Sequence, residues 1–239
     1  MDVKKLLDEL VERLQKAHGA SLESVVLYGS AAVGDLQDRF SDLNVLCILT
    51  RVTPRELELS EPIFEWWRSK DNPAPLLMSV EEAARSADCF PMEFHDIQEH
   101  SKLLHGRDLM SGVHIDDRYY RAQVEHELRA KLLRLRQKAA GMMHDDAMLL
   151  RLMSDSVSTF CVVLRHVLAL AGEPRPATKR ESVEAARAKF ALDASPFVQL
   201  LDLREGKIKA RDLRAVEMLG RYMASIETAI AQVDRLGRS

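Results

Sequence analysis

The chain has 239 residues, of which 46% are hydrophobic and 30% are charged. This length and balance predict a soluble, folded protein that buries a good core in one or two domains. The formal net charge of -3 excludes a general electrostatic attraction to nucleic acid or to an anionic membrane. Any contact with nucleic acid would therefore have to be local.

The three cysteines, Cys47, Cys89 and Cys161, are far apart in the sequence, and each lies in an apolar neighbourhood. They do not have the spacing of metal ligands, and an odd number without a signal peptide predicts reduced, buried thiols. The N-terminal segment, MDVKKLLDELVERLQ, is amphipathic and contains no long apolar stretch, so no export signal or transmembrane segment is visible. These features predict a cytoplasmic protein without a membrane partner.

The first predicted elements are a helix and two strands. Asp2 can cap a helix whose leucines and valines repeat at helical spacing, and Gly19 is placed to end it. Two apolar runs of strand length follow, at residues 22–28 and 45–49. A short helical turn is expected between them, at residues 30–33. The amphipathic helix should pack on the sheet that these strands form.

Polar residues mark the end of the first strand and the beginning of the second. Gly29-Ser30 follows the first strand, and Asp42-Leu43-Asn44 leads into the second. A Gly-Ser pair, a short connector and Asp-x-Asp in an apolar strand form a signature that resembles the polymerase-β-like nucleotidyltransferase superfamily. The residues of this motif are similar to those of small bacterial nucleotidyltransferases and of antibiotic nucleotidyltransferases. Asn44 occupies the second acidic position and departs from the pattern.

The motif also has a direct physical interpretation. Asp42 and Asn44 are two residues apart on a strand, so they point to the same face and can converge on one cation. Magnesium prefers oxygen ligands, commonly one or two carboxylates together with substrate phosphates. Ser30 lies at the start of the helical turn, where backbone N–H groups and a hydroxyl can hold phosphate, and Gly29 permits close approach. Asn44 can coordinate a cation but brings no negative charge.

The chain then continues with alternating helices and strands. A Ser79–Glu82 capping box is predicted to start one of these helices. The predicted elements are a helix beginning at Pro54 and ending near Lys70, a short strand at 76–78 and a helix at 80–87.

A further strand is predicted from Phe90 to Ile97, with Glu93 on one face and Asp96 on the other. Members of the superfamily commonly supply a third carboxylate from a strand at this place. The resemblance assigns that role to Glu93, as a metal ligand or as the base that accepts a proton from the acceptor hydroxyl. Asp96 is the competing candidate. His95 is interpreted as a packed or surface histidine.

The composition changes to that of a loop between Ser101 and Gly112. This segment is the predicted boundary between an α/β domain at residues 1–112 and a helical bundle at residues 113–239. The predicted fold class is therefore α+β, with a mixed sheet followed by helices. Thr178 and Glu181 are expected to form a capping box, and Asp116 or Asp117 to cap the first helix of the bundle. The predicted helices lie at about 119–140, 145–171, 179–190, 195–205 and 210–236.

The first long helix of the bundle has a basic face. The lysines and arginines of this face are interpreted as a solvated surface, on which Glu125 and Glu127 pair with some of them. The alternative is a basic wall for an anionic acceptor or for the triphosphate, and nucleic-acid recognition is a third reading against which the net acidity weighs. The residues concerned are Arg129, Lys131, Arg134, Arg136 and Lys138.

The resemblance implies an enzyme that transfers a nucleoside monophosphate from a nucleoside triphosphate, with ATP favoured, to a hydroxyl acceptor. Mg²⁺ or Mn²⁺ would be the cofactor, held by Asp42, Asn44 and Glu93, and Gly29 and Ser30 would contact the nucleotide. The substitution at Asn44 motivates the alternative of a catalytically impaired nucleotide-binding or protein-interaction member of the same fold. The sequence does not specify the acceptor. It also leaves open whether the protein forms a homodimer.

Overall fold

The computed structural model describes residues 2–33, 43–115 and 117–236. The predicted metal ligand Asp42 and the predicted cap Asp116 lie outside these ranges. The chain divides into two compact units, Met1–Asp117 and Arg118–Ser239. The first unit is α+β and the second is entirely helical among its described residues.

The described residues of the N-terminal unit form a four-stranded mixed sheet and five α-helices. The strand order is β3-β2-β1-β4, in which β1 pairs antiparallel with β2 and β4, and β2 pairs parallel with β3. The strands are β1 (Leu22–Tyr28), β2 (Asn44–Leu49), β3 (Leu76–Ser79) and β4 (Ser101–Gly106). The helices are α1 (Val3–His18), α2 (Ser30–Val33), α3 (Pro54–Arg68), α4 (Val80–Arg85) and α5 (Pro91–Glu99).

The sheet separates two hydrophobic cores. One face packs on leucines of α1 and on Ile63 and Trp67 of α3. The other face, which includes Val26, Leu46 and Ile48, packs on α4 and α5. Because side chains alternate along a strand, Asn44 belongs to the same face as Leu46, and Tyr28 packs on that core as well. The end of β1 and the start of β2 therefore present side chains toward the layer that contains α5.

The strand predicted at residues 90–97 is wrong, because this segment forms helix α5. Pro91 occupies the first turn of that helix, where its fixed φ angle is favourable and no N–H is needed. The predicted loop at residues 101–112 is also partly wrong, since residues 101–106 form β4. Most residues of this edge strand are exposed, and it is recognised as a strand by its backbone pairing with β1.

Most of the predicted helix starts are confirmed. The Asp2 carboxylate accepts a hydrogen bond from the Lys4 amide at 3.1 Å, and the capping boxes at Ser79 and Thr178 are both formed. The first helix of the bundle differs, because its N-cap residue is Tyr119, which follows a short 3-10 turn at Asp117–Tyr119 and makes no side-chain cap. Asp117 is therefore not the N-cap residue.

The C-terminal unit is a bundle of five helices in its described residues. Helix α7 is central and packs against each of the other four. It is long and apolar enough to cross a membrane by length and composition, but half of its most apolar window is buried inside the bundle, as in the core helix of a folded domain. The helices are α6 (Tyr120–Ala140), α7 (Asp146–Leu170), α8 (Lys179–Phe190), α9 (Ser195–Arg204) and α10 (Ala215–Leu236).

The three cysteines are unpaired thiols, but they are not all buried. Cys47 lies inside the sheet and Cys161 inside α7, and burial raises the pKa of each thiol to about 12. Cys89 is exposed, which corrects the prediction for that residue. A hydrogen bond with Asp88 raises the pKa of the Cys89 thiol, which keeps it protonated at neutral pH.

A buried histidine connects the end of α1 to α3. The Ser60 hydroxyl donates to the Glu56 carbonyl at 2.8 Å, so the 3.1 Å contact between Ser60 Oγ and His18 Nε2 must use an N–H of His18. His18 Nδ1 is buried and has no hydrogen-bond partner among the described residues. Burial lowers the pKa of His18, and the nearby Glu56 carboxylate opposes that effect without cancelling it.

The pairing of β1 with β4 predicts that Gly106→Ala will be strongly destabilising. Gly106 has a φ of +80°, and an added Cβ would lie 2.0 Å from the Glu23 carbonyl oxygen. Backbone strain and the required shift of β1 should reduce the free energy of unfolding by about 3 kcal/mol or more. Gly112→Ala is the matched control, because nothing lies within 4 Å of its added Cβ. Similar denaturant midpoints for the two variants would contradict this prediction.

The state of His18 predicts a loss of stability in mild acid. Its folded-state pKa is below the ordinary value of 6.5, so the unfolded chain binds more protons as the pH falls below 6.5. The contribution of neutral His18 to the free energy of unfolding is fully present above pH 6.5 and should decrease below it. In thermal unfolding at pH 7.5 and 5.5, His18→Gln should lose less stability on acidification than wild type, because glutamine does not titrate, and it keeps a donor for Ser60. Equal losses in the two proteins would show that His18 is not responsible.

Candidate functional site

The candidate site begins where β1 ends and β2 starts. Tyr28, the last residue of β1, pairs with Asn44 on β2 and with Ser101 on β4. The Gly29 amide then donates to the His100 carbonyl at 2.9 Å, which extends the backbone pairing one residue past the strand. The chain turns at this glycine into α2. Backbone pairing on both sides therefore fixes the position of this turn.

Gly29 is favoured by its backbone conformation, and it lies beside Asn44. Its φ is +81°, a region that favours glycine, and an added Cβ would lie 3.4 Å from the Asn44 side-chain nitrogen. The amide group of Asn44 thus lies directly over the glycine. The two parts of the motif that the sequence separates, Gly29 and Asn44, are neighbours in the structure.

The other two motif residues are defined less fully by the structure. Ser30 begins the short helix α2, as predicted, and the Gly29 carbonyl accepts from the Ala32 amide at 3.0 Å in the first turn. Asp42, the predicted anchor of the metal, lies outside the described residues. Leu43, which follows it, is buried in the core between the sheet and α1.

Both candidates for the third carboxylate lie on α5. Glu93 is exposed and Asp96 is 9% exposed. They are three residues apart, so they lie on the same side of the helix, and not on opposite faces of a strand as predicted. Burial is the main cause that raises the pKa of the Tyr28 phenol, and the carboxylates of Glu93 and Asp96 add to it.

Tyr28 is the site residue that sequence reasoning missed. Its ring packs on the core that contains Phe94 and Ile97 of α5, and it is half-buried. The available signal was an aromatic residue with a hydroxyl directly before Gly29, at the end of a buried strand. Its relation to α5 could not be read from the sequence, because it depends on packing between segments that are far apart in the chain.

The donor chemistry of the site suits a hard cation. Asn44 offers an amide oxygen, and Glu93 and Asp96 offer carboxylates, which are the ligand types that Mg²⁺ prefers. Among the described residues, however, no group of three histidine, cysteine, aspartate or glutamate side chains is arranged to hold a metal ion. A metal site at this position would therefore need Asp42 in addition.

The basic face of α6 is largely engaged within the bundle. Arg129 forms ion pairs with Glu125 and Asp234, both at 2.9 Å. Further pairs join Lys131 to Glu127 and Arg136 to Glu227. For these three cations the contacts agree with the interpretation of a solvated, ion-paired surface.

Comparison with known proteins bears on the fold of the chain. No protein-family model matches the sequence, and no curated protein matches it. The structure is similar to that of the spectinomycin adenyltransferase AAD(9) from Enterococcus faecialis, crystallised with ATP and spectinomycin. The TM-score is 0.57 at 12% sequence identity, over 98% of this chain and 99% of the other.

This similarity covers both units and confirms two predictions. The chain shares the fold of this adenyltransferase, which is the kind of fold that the resemblance of the Gly29-Ser30 motif implied. Its fold class is α+β, with an N-terminal mixed sheet followed by a helical bundle, as predicted. At 12% identity the comparison establishes the architecture of the chain.

Proposed function

We propose that this protein is a nucleotidyltransferase that moves a nucleoside monophosphate from a nucleoside triphosphate to a hydroxyl acceptor. The observation that carries the proposal is the contact between Gly29 and Asn44 at adjacent strand ends. It supports the proposal because the turn at Gly29-Ser30, the proposed phosphate site, lies beside the start of β2. The fold is that of an adenyltransferase crystallised with ATP, which makes ATP the favoured nucleotide.

The proposal gives each motif residue a role. The close approach at Gly29 and the hydroxyl of Ser30 would hold the β- and γ-phosphates. Asp42 would anchor Mg²⁺ or Mn²⁺, and Asn44 would complete that site with a neutral oxygen. Glu93 would serve as the third ligand or as the base that accepts the proton of the acceptor hydroxyl. The bound metal would supply charge neutralisation at the transferred phosphoryl group.

The same comparison supports a choice of which acceptor class to test first. The AAD(9) crystal contains spectinomycin together with ATP. Hydroxyl-bearing antibiotics are therefore the first acceptors to test with this protein. Protein side chains and nucleotides are the other classes that offer a hydroxyl group.

Asp42→Ala should abolish metal-dependent nucleotide binding while leaving the fold intact. Titration calorimetry with a non-hydrolysable ATP analogue, with and without Mg²⁺, measures this directly. We expect the Mg²⁺-dependent affinity to fall by at least about 100-fold, because the charged ligand of the metal is lost. Asp8→Ala, which removes an exposed carboxylate from α1, is the matched control. Unchanged binding in Asp42→Ala would defeat the assignment.

The second candidate function is nucleotide binding or partner binding without turnover. Asn44 favours it, since one fewer carboxylate neutralises metal and triphosphate less well. Metal-dependent transfer of a nucleotide by the wild-type protein, in a broad screen of acceptors, would exclude this candidate.

Asn44→Asp distinguishes the two candidates. A second carboxylate next to Gly29 should raise Mg²⁺ affinity about tenfold or more, because ligand charge strengthens binding of a hard cation. If the wild-type protein lacks turnover and the variant acquires it, the site is an impaired transferase. If Asn44→Asp leaves Mg²⁺ affinity unchanged, Asn44 does not face the metal.

A further inference from the structure

The two arms of the Asn44 side-chain amide lie at different distances from the turn at Gly29. Asn44 is the first residue of β2, and its pairing with Tyr28 fixes its backbone in the sheet. Its nitrogen, Nδ2, lies 3.4 Å from the position that a Cβ of residue 29 would occupy, whereas its oxygen lies more than 4 Å from that position. The nitrogen is therefore the arm of the amide that faces the glycine.

The amide nitrogen of Asn44 is available to a ligand. Within the described ranges, the Asn44 side chain makes no hydrogen bond, and the residue is only partly buried. A carboxamide nitrogen carries two N–H donors and no acceptor. Because Gly29 has no side chain, a ligand can enter the space beside Nδ2 that a Cβ would otherwise fill. A group that binds there meets hydrogen-bond donors.

These donors favour an anionic oxygen over a cation. Hydrogen bonds from an N–H group to a charged oxygen are shorter and stronger than those to a neutral oxygen. An aspartate at position 44 would offer acceptors alone, and its charge would repel a phosphate at the same turn. Asparagine therefore does more than remove a charge from the second acidic position of the motif. It places a donor where aspartate would place an acceptor.

We propose that Asn44 binds the triphosphate directly, by donating a hydrogen bond from Nδ2 to a phosphate oxygen at Gly29, and that this contact gives the protein a metal-independent affinity for triphosphate. The proposal rests on the transferase function proposed above, which assigns the β- and γ-phosphates to this turn. The two roles of Asn44 are compatible, because the amide oxygen can bind a cation while the nitrogen binds phosphate. Asn44 takes part in no bond change.

A series of substitutions at position 44 tests the donor. Titration calorimetry in EDTA, with inorganic tripolyphosphate and with a non-hydrolysable ATP analogue, would measure the metal-free affinity. Asn44→Ala removes the donor, and we expect a loss of about 10- to 100-fold, as for a hydrogen bond to a charged group. Asn44→Ser keeps an O–H donor and should lose less than Asn44→Ala. Asn44→Asp should lose most, because its carboxylate cannot donate and repels the phosphates.

Mg²⁺ separates the donor role from a general effect on the fold. With Mg²⁺ present, Asn44→Asp should recover affinity for the analogue, because the cation neutralises the added charge. The gain in affinity on adding Mg²⁺ should therefore be larger in Asn44→Asp than in wild type, which a damaged fold would not produce. Asn72→Asp is the matched control, because it makes the same chemical change at an amide that donates to the Lys70 carbonyl at 3.3 Å.

The outcomes distinguish this proposal from the transferase function. Equal metal-free affinities in wild type, Asn44→Ala and Asn44→Asp would overturn the donor role alone. Triphosphate binding by wild type that requires Mg²⁺ would also overturn the donor role and would leave the transferase function standing. If wild type binds neither tripolyphosphate nor the analogue, with or without Mg²⁺, both proposals are overturned.

Discussion

Pairing of β1 on both sides is the constraint on which the N-terminal unit depends. An interior strand has its backbone groups satisfied by two neighbours, so its end cannot shift without breaking hydrogen bonds on both sides. Here that end is Tyr28, and the pairing continues through the Gly29 amide to the His100 carbonyl. The turn, the start of β2 and the end of α5 are consequently held in one place.

Local chemistry explains which parts of the fold the sequence predicted well. Caps such as Asp2 and the Ser79–Glu82 box act over three residues, and buried apolar runs such as those of β1 and β2 are visible in any window that contains them. Residues 90–106 lack such unambiguous signals. Phe90, Met92 and Phe94 alternate as in a strand, but the segment is helical because Pro91 fits a first turn and Phe94 and Ile97 pack on the sheet.

The strand β4 was missed for a different reason. Its residues are mostly exposed, so they do not show the apolar alternation of a half-buried strand. Only the long-range pairing with β1 makes it a strand. The same limit applied to the site, because the motif indicated Gly29, Ser30, Asp42 and Asn44, whereas the relation of Tyr28 to α5 depends on tertiary packing.

The poor burial of β4 also affects how the sheet meets other chains. An edge strand exposes unpaired backbone groups that can recruit a strand from another molecule, which is a common route to aggregation. In the described sheet this edge has only six residues, carries the charged Lys102, and is distorted where its register with β1 shifts beside Val25 and Val26. The opposite edge, β3, has only four residues. Neither edge of this described sheet offers a long, flat strand, which makes it a poor template for a strand from another molecule.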